Sequence, residues 1–217
     1  HDEWAQTLSI TDGHTVFAAL GIHPFHCQEW NESRAQELEK LIKSNPKKIK
    51  AVGEIGLDFF NGRKNEETQC NTLSDQIQIA RNFNLPIILH IRKAWPDFFG
   101  ILRDMHVNKL RGACHCFNGS REILEQCLDL GLHISFAAPL TYPNADKLRQ
   151  ISAAVPDDRL LAETDTPFLP IHDLTRNHSL PEDAIAVIDT LAMARNTPAN
   201  TMAAIILENS RCLFAIH

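Results

Sequence analysis

The stretch Thr72–Arg92, "TLSDQIQIARNFNLPIILHIR", decides the architecture because its hydrophobic period changes part-way along. Through Phe83 the apolar residues recur at helical spacing. From Leu85 onward a short apolar run follows Pro86 and ends in His90 and Arg92. A helix leading through a tight connection into a short buried strand is half of a βαβ unit. The same change of period repeats on either side. Strand-like segments are "TVFAALGIHP" (15–24), "KIKAVGEIGLDF" (48–59), "KLRGACHCF" (109–117), "GLHISF" (131–136) and "RLLAETDTP" (159–167). Between and after them lie "SRAQELEKLIKS", "WPDFFGILRDM", "SREILEQCLDL", "NADKLRQISAAV", "LPEDAIAVIDTLAMARN" and "PANTMAAIILENSRCLF", all with helical patterns. Asn118 and Ser120 are candidate caps for one of these helices, with Gly131 beyond its end.

Alternating strands and helices predict a parallel sheet with helical crossovers. Six strand–helix units are visible, and the choice lies between an open doubly wound sheet and a TIM-type (β/α)₈ barrel, typically about 250 residues long. The barrel is the expectation, with residues 1–217 as one barrel domain. Its first two strand–helix units are expected to lie before His1, since the chain opens in "HDEWAQTLS", a helix already under way.

Composition narrows the function classes. The chain has 217 residues, 44% hydrophobic and 22% charged, enough apolar material for a sizeable core. Its net charge of −6 provides no overall basic field for nucleic acid or anionic membrane. No apolar run has the length of a membrane span, and the expectation is a cytoplasmic protein with no signal peptide and no membrane association. Six cysteines without C-x-x-C spacing suit reduced thiols.

Side chains alternate between faces along a strand. His90 and Arg92 therefore share a face with Ile88, and Val52, Glu54, Gly56 and Asp58 line up together. His115 is expected to face opposite to its neighbours Cys114 and Cys116, so these three do not form one metal site, and the cysteines pack outward beneath helices. Glu163 and Asp165 point the same way, and His23 ends its own segment. Singly, each of these has a packing or capping explanation. Together, His23, Glu54, His90, His115 and Asp165 fall at or near the C-terminal ends of five strands, where barrel enzymes build their sites. Two histidines with two carboxylates suit a divalent ion of the zinc, manganese or nickel type, or magnesium with water completing its shell. Glu54 is placed to bridge two ions, and Asp165 to take a proton from water as general base. Arg92 is a candidate phosphate contact, and Arg63, Lys64, Arg121 and Arg176 are candidates to line a substrate groove.

The stretches "GIHP", "AVGEIGLDF", "LPIILHIRKA", "HCFNGS", "ISFAAPLTYPNADKLRQI", "RLLAETDTPFLP" and "ENSRCLF", in this order, resemble the TatD family of metal-dependent deoxyribonucleases. The resemblance implies a (β/α)₈ barrel with two divalent metal ions (Mg, Mn or Zn), similar to the amidohydrolases. It implies cleavage of DNA phosphodiester bonds by a 3′ to 5′ exonuclease acting on single-stranded DNA, or on other nucleic acid, as a monomer. By the same resemblance Glu54 bridges the metals, His90 and His115 hold one, and Asp165 binds the other and steers the attacking water. His23 lies near the substrate phosphate. The family's His-x-His pair on its first strand is not among these 217 residues. Two alternatives stand beside the nuclease. One is an amidohydrolase-like hydrolase of a small ester, amide or aminoacyl-tRNA substrate. The other is a truncated scaffold without catalysis.

Overall fold

A computed structural model describes residues 2–172 and 176–216, so His1, the start of the opening helix as read from sequence, lies outside the described residues. The chain divides into two compact units, residues 1–113 with 213–217 and residues 114–212.

In the first unit, β1 (Ala18–Leu20), β2 (Ile49–Asp58) and β3 (Ile87–Arg92) pair in that order, all parallel. They are preceded by α1 (Asp2–Ile10) and connected by α2 (Glu32–Ser44) and α3 (Glu66–Asn82), and α4 (Trp95–Asp104) follows β3. A short strand, β4 (Gly112–Cys114), follows α4. The helices begin and end where local chemistry directs. Asn31 caps α2 by accepting the Arg34 N–H at 3.1 Å. Glu66 and Glu67 open α3, where carboxylates meet the positive end of the helix dipole. That start lies six residues before Thr72. The core of the unit is the apolar face of the strands, with Ile55, Leu57, Ile87 and Leu89 fully buried against Leu73 and Ile77 of α3.

The second unit holds α5 (Arg121–Leu130), β5 (His133–Phe136), α6 (Asp146–Ala153), β6 (Leu160–Ala162), α7 (Ala184–Ala194) and most of α8 (Ala199–Phe214). β5 and β6 are parallel, with Ile134 beside Leu160 and Phe136 beside Ala162. Of the two candidate caps for α5, Ser120 is the one used: its hydroxyl accepts the Ile123 N–H. Gly131 closes the helix with φ +89°, a left-handed geometry that suits glycine. Asn209 of α8 sends its amide Nδ2 to the carbonyls of Asp157 (2.6 Å) and Leu160 (2.8 Å), anchoring that helix to the start of β6. The apolar stripe of α7 is only partly core: Val187 and Leu191 are buried, whereas Ile185 and Met193 are exposed. No described helix is long and apolar enough to cross a membrane.

Two expectations of strand geometry need correction. The first concerns β2. Three steps along β2, Val52 to Ile55, match two along β3, Ile87 to Leu89, so an extra residue is inserted there. Gly56 then pairs with His90 and Asp58 with Arg92, sharing their face, whereas Val52 pairs with Ile87 on the opposite face. The inserted residue shifts the alternation by one, and Val52 does not line up with Asp58. The second concerns β4, which ends at Cys114. His115 and Cys116 form a turn, with Cys116 at φ +43°, so strand alternation does not extend to them. Cys114 is buried as expected, but Cys116 is half-exposed rather than packed beneath a helix.

Candidate functional site

Each unit carries its own cluster of histidine and carboxylate groups. In the first unit these come from the segment just after β1 (His23), from within β2 (Glu54) and from within β3 (His90). One donor atom from each of His23, Glu54 and His90 lies within 4.8 Å of the others. His90 Nδ1 is 3.8 Å from Glu54 Oε2, and His23 Nε2 is 4.0 Å from the same oxygen. The two imidazoles meet edge to face with centroids 4.5 Å apart. Glu54 sits at the inserted residue of β2, and its carboxylate still reaches the His90 side.

Asp58, the last residue of β2, controls this cluster, and its side chain is only 1% exposed. Its Oδ1 accepts the Phe60 N–H at 2.8 Å, and its Oδ2 lies 3.0 Å from His90 Nε2. A carboxylate only accepts hydrogen bonds, so the shared proton belongs to Nε2 and the Nδ1 lone pair is directed toward Glu54. His23 is held in the opposite sense. Its Nδ1 accepts the Phe25 N–H at 3.2 Å, which caps the short 3₁₀ helix Pro24–Glu29 and leaves the proton of the neutral ring on Nε2. In this state His90 offers a ligand lone pair, and His23 offers a donor.

The second unit repeats the scheme at the end of β6 and in the turn after β4. His115 Nδ1 is 2.9 Å from Glu163 Oε1, and its Nε2 is 3.6 Å from Asp165 Oδ1. Glu163 Oε1 also accepts the Cys116 N–H at 2.5 Å, and the positive φ of Cys116 belongs to the turn that delivers this bond. Glu163 and Asp165, two residues apart, thus hold the two nitrogens of one buried imidazole. Glu163 fixes the proton on Nδ1 and leaves the Nε2 lone pair beside Asp165.

A histidine whose far nitrogen is held by a carboxylate, with its lone pair beside a second carboxylate, is the usual setting of a metal ligand. The donor set, imidazole nitrogen with carboxylate oxygen, suits zinc or manganese, and magnesium when water completes the shell. On that chemistry the residues fit divalent ions.

Two glutamines of α3 hold the first cluster's backbone. Gln76 accepts the Ile22 N–H (2.7 Å) and donates to the Ile22 carbonyl (3.1 Å), directly before His23. Gln69, two turns earlier, makes the same pair of bonds with the N–H (2.8 Å) and carbonyl (3.2 Å) of Asp58. Gly56 is demanded by close approach: a Cβ there would lie 1.8 Å from the His90 carbonyl oxygen. Sequence reasoning left the parts played by Asp58 and Glu163 open and missed both glutamines. The available signal for the glutamines was two amides seven residues apart on the apolar face of a helix.

Arg92 sits over the exposed ring of Phe60, its guanidinium carbon 3.8 Å from the centroid, with the Lys93 ammonium 4.6 Å from the same centroid. Arg92 Nη1 is 4.0 Å from Asp58 Oδ2, and its side chain stays 44% exposed. Three other basic residues suggested as groove lining have acidic partners. Arg63 pairs with Glu66 and Asp97, Arg121 with Glu125, and Arg176 with Asp183. Cys114 is hydrogen-bonded to Cys127 of α5, and that contact together with burial pushes its thiol well above the usual range. It is an inert core residue.

The sequence model of the TatD related DNase family matches residues 1–215. An uncharacterized metal-dependent hydrolase of Bacillus subtilis, YabD, is 33% identical over 202 residues, covering 93% of this chain and 78% of YabD. The 3′-5′ ssDNA/RNA exonuclease TatD of a Pantoea species is 32% identical over 217 residues, covering 98% and 83%. The crystal structure of the Escherichia coli TatD homologue YjjV superimposes with a TM-score of 0.91 at 32% identity, over 100% of this chain and 83% of that one. The α/β fold is thus that of a TIM-type barrel, and the chain belongs to the TatD family of metal-dependent hydrolases.

Proposed function

We propose that this chain hydrolyses phosphodiester bonds in single-stranded DNA as a 3′ to 5′ exonuclease, with Glu54, His90, His115 and Asp165 as ligands to two divalent metal ions. The observation that carries the reading is the repeated arrangement of the two clusters. Asp58 sets the tautomer of His90 beside Glu54, and Glu163 sets that of His115 beside Asp165. The nucleic-acid substrate is supported by the Pantoea exonuclease at 32% identity. When bound, divalent ions supply Lewis acidity and lower the pKa of water. The remaining work belongs to the chain. Asp165 accepts the proton of the attacking water through a carboxylate oxygen. His23 donates from Nε2 to a phosphate oxygen, as its bond with the Phe25 N–H requires. Arg92, held on Phe60, presents its guanidinium to the phosphate backbone.

The test is cleavage of a 5′-labelled single-stranded oligonucleotide by the purified protein with magnesium, manganese or zinc, beside the Glu54→Gln variant. A ladder shortening from the 3′ end, abolished by chelator and reduced at least about 100-fold by Glu54→Gln, is expected. Full activity in Glu54→Gln refutes the mechanism. An intact oligonucleotide alongside turnover of a small ester or amide would transfer the chain to the amidohydrolase-like reading, and no metal-dependent turnover at all to a scaffold.

A further inference from the structure

Phe25 is 58% exposed, but its backbone is tied into the site. It follows Pro24 in the 3₁₀ helix, and its backbone N–H is bound to His23 Nδ1. Its ring and that of His23 meet in a T-shaped pair at 71°, centroids 4.7 Å apart, and its centroid is 6.4 Å from that of His90. Three rings thus run from the ligand His90 through His23 to an aromatic side chain open to solvent. A single exposed phenylalanine is ordinary. One whose backbone is tied to His23 and whose ring packs on that histidine, within a ring's breadth of a hydrolytic cluster, is placed for a flat ligand. Phe60, the other exposed aromatic of this region, has its π system engaged by Arg92 and Lys93. The pairing of a cationic contact with an aromatic platform is the chemistry by which proteins hold single-stranded nucleic acid without reading its sequence.

We propose that Phe25 is the stacking platform for the nucleobase of the nucleotide whose phosphate is cleaved, so that the enzyme requires a base there without selecting which base. This rests on the nucleic-acid reading of the site. Base–aromatic stacking contributes enough for roughly a tenfold change in affinity per base. The platform needs a π face, so Phe25→Leu should lose it and Phe25→Tyr should keep it. Because the side chain is largely exposed, neither change threatens the fold.

The experiment compares two single-stranded oligonucleotides, one normal and one with abasic sites at its last two 3′ positions. Dissociation constants come from fluorescence anisotropy in chelator, and KM from cleavage with metal. In the wild-type and Phe25→Tyr proteins, removing the bases should weaken binding and raise KM about tenfold. In Phe25→Leu the two oligonucleotides should be bound equally, at the weaker level. A base effect that persists unchanged in Phe25→Leu, or wild-type binding that ignores the bases, overturns the proposal while leaving the nuclease intact. Base-dependent binding lost in Phe25→Leu, in a protein that cleaves neither oligonucleotide, upholds the platform and refutes the nuclease reading instead.

Discussion

Asp58→Asn and Glu163→Gln are the same chemical change, one carboxylate made into an amide, and the structure predicts that they differ sharply. Asp58 uses two oxygens on two donors, Oδ1 for the Phe60 N–H and Oδ2 for His90 Nε2. An amide has one oxygen, so the substituted side chain cannot serve both. If it keeps the Phe60 bond, its NH₂ meets His90 Nε2 and the imidazole proton must move to Nδ1, removing the lone pair beside Glu54. If it keeps His90, its NH₂ is turned toward the Phe60 N–H, donor against donor, and that bond is lost. Glu163, by contrast, gathers both of its donors, His115 Nδ1 and the Cys116 N–H, on the single atom Oε1. Its amide can leave an oxygen in that place and keep the His115 tautomer. Loss of a carboxylate behind a metal-bound histidine typically weakens metal binding 10- to 100-fold, or about 1.4–2.7 kcal/mol. Asp58→Asn should show the whole of this, and Glu163→Gln no more than about threefold, from the lost charge alone. Competition with a fluorescent chelator measures the affinity, and circular dichroism in chelator checks that both variants fold. Equal weakening by the two variants, or wild-type affinity in Asp58→Asn, would show that proton placement does not govern this site.

Two further outcomes are expected. Asn209→Ala strips the hydrogen bonds from the carbonyls of Asp157 and Leu160. It should cost about 2–3 kcal/mol, because the bond to the Leu160 carbonyl is buried and its loss leaves that acceptor unpaired. Thermal unfolding would then fall by roughly 4–12 °C, and an unchanged midpoint would refute the anchoring role. In the native protein at pH 8, Cys114 should resist a thiol reagent until unfolding. Its bond with Cys127 and its burial keep it protonated where a free cysteine is partly thiolate. Mass mapping of alkylated peptides reads this directly, and early modification of Cys114 would contradict the packing.

Much of this arrangement is legible in the sequence because periodicity is local. His90 and Arg92 share a face as two-residue alternation requires, and Ser120 and Gly131 bound α5 as their backbone chemistry suggests. Alternation holds only along an unbroken ladder, however. The inserted residue before Ile55 reverses Val52, and the turn at His115 and Cys116 takes both off the strand. Neither is visible without the partner strand or the carboxylate that stabilises the turn. Asp58 and Glu163 illustrate a different limit. Their parity could be read, but the imidazoles they hold lie 32 and 48 residues away, and only the folded chain brings them together. Gln69 and Gln76 read as ordinary helix residues for the same reason, since their partners are backbone atoms of Asp58 and Ile22.

Those two glutamines separate position from sequence neighbourhood. Each side-chain amide completes a peptide-like ring with one residue of main chain, Ile22 just beyond the end of β1 and Asp58 at the last position of β2. The spacing between the two anchor points is set by the rise of a rigid helix, about 10 Å over seven residues, and not by the connecting segments. His23 and Asp58 hang from α3 as from a rail. The loop from Asn61 to Asn65 is thereby relieved of the task of holding them, and its length and composition can drift, or be redesigned, without moving the acid that orients His90.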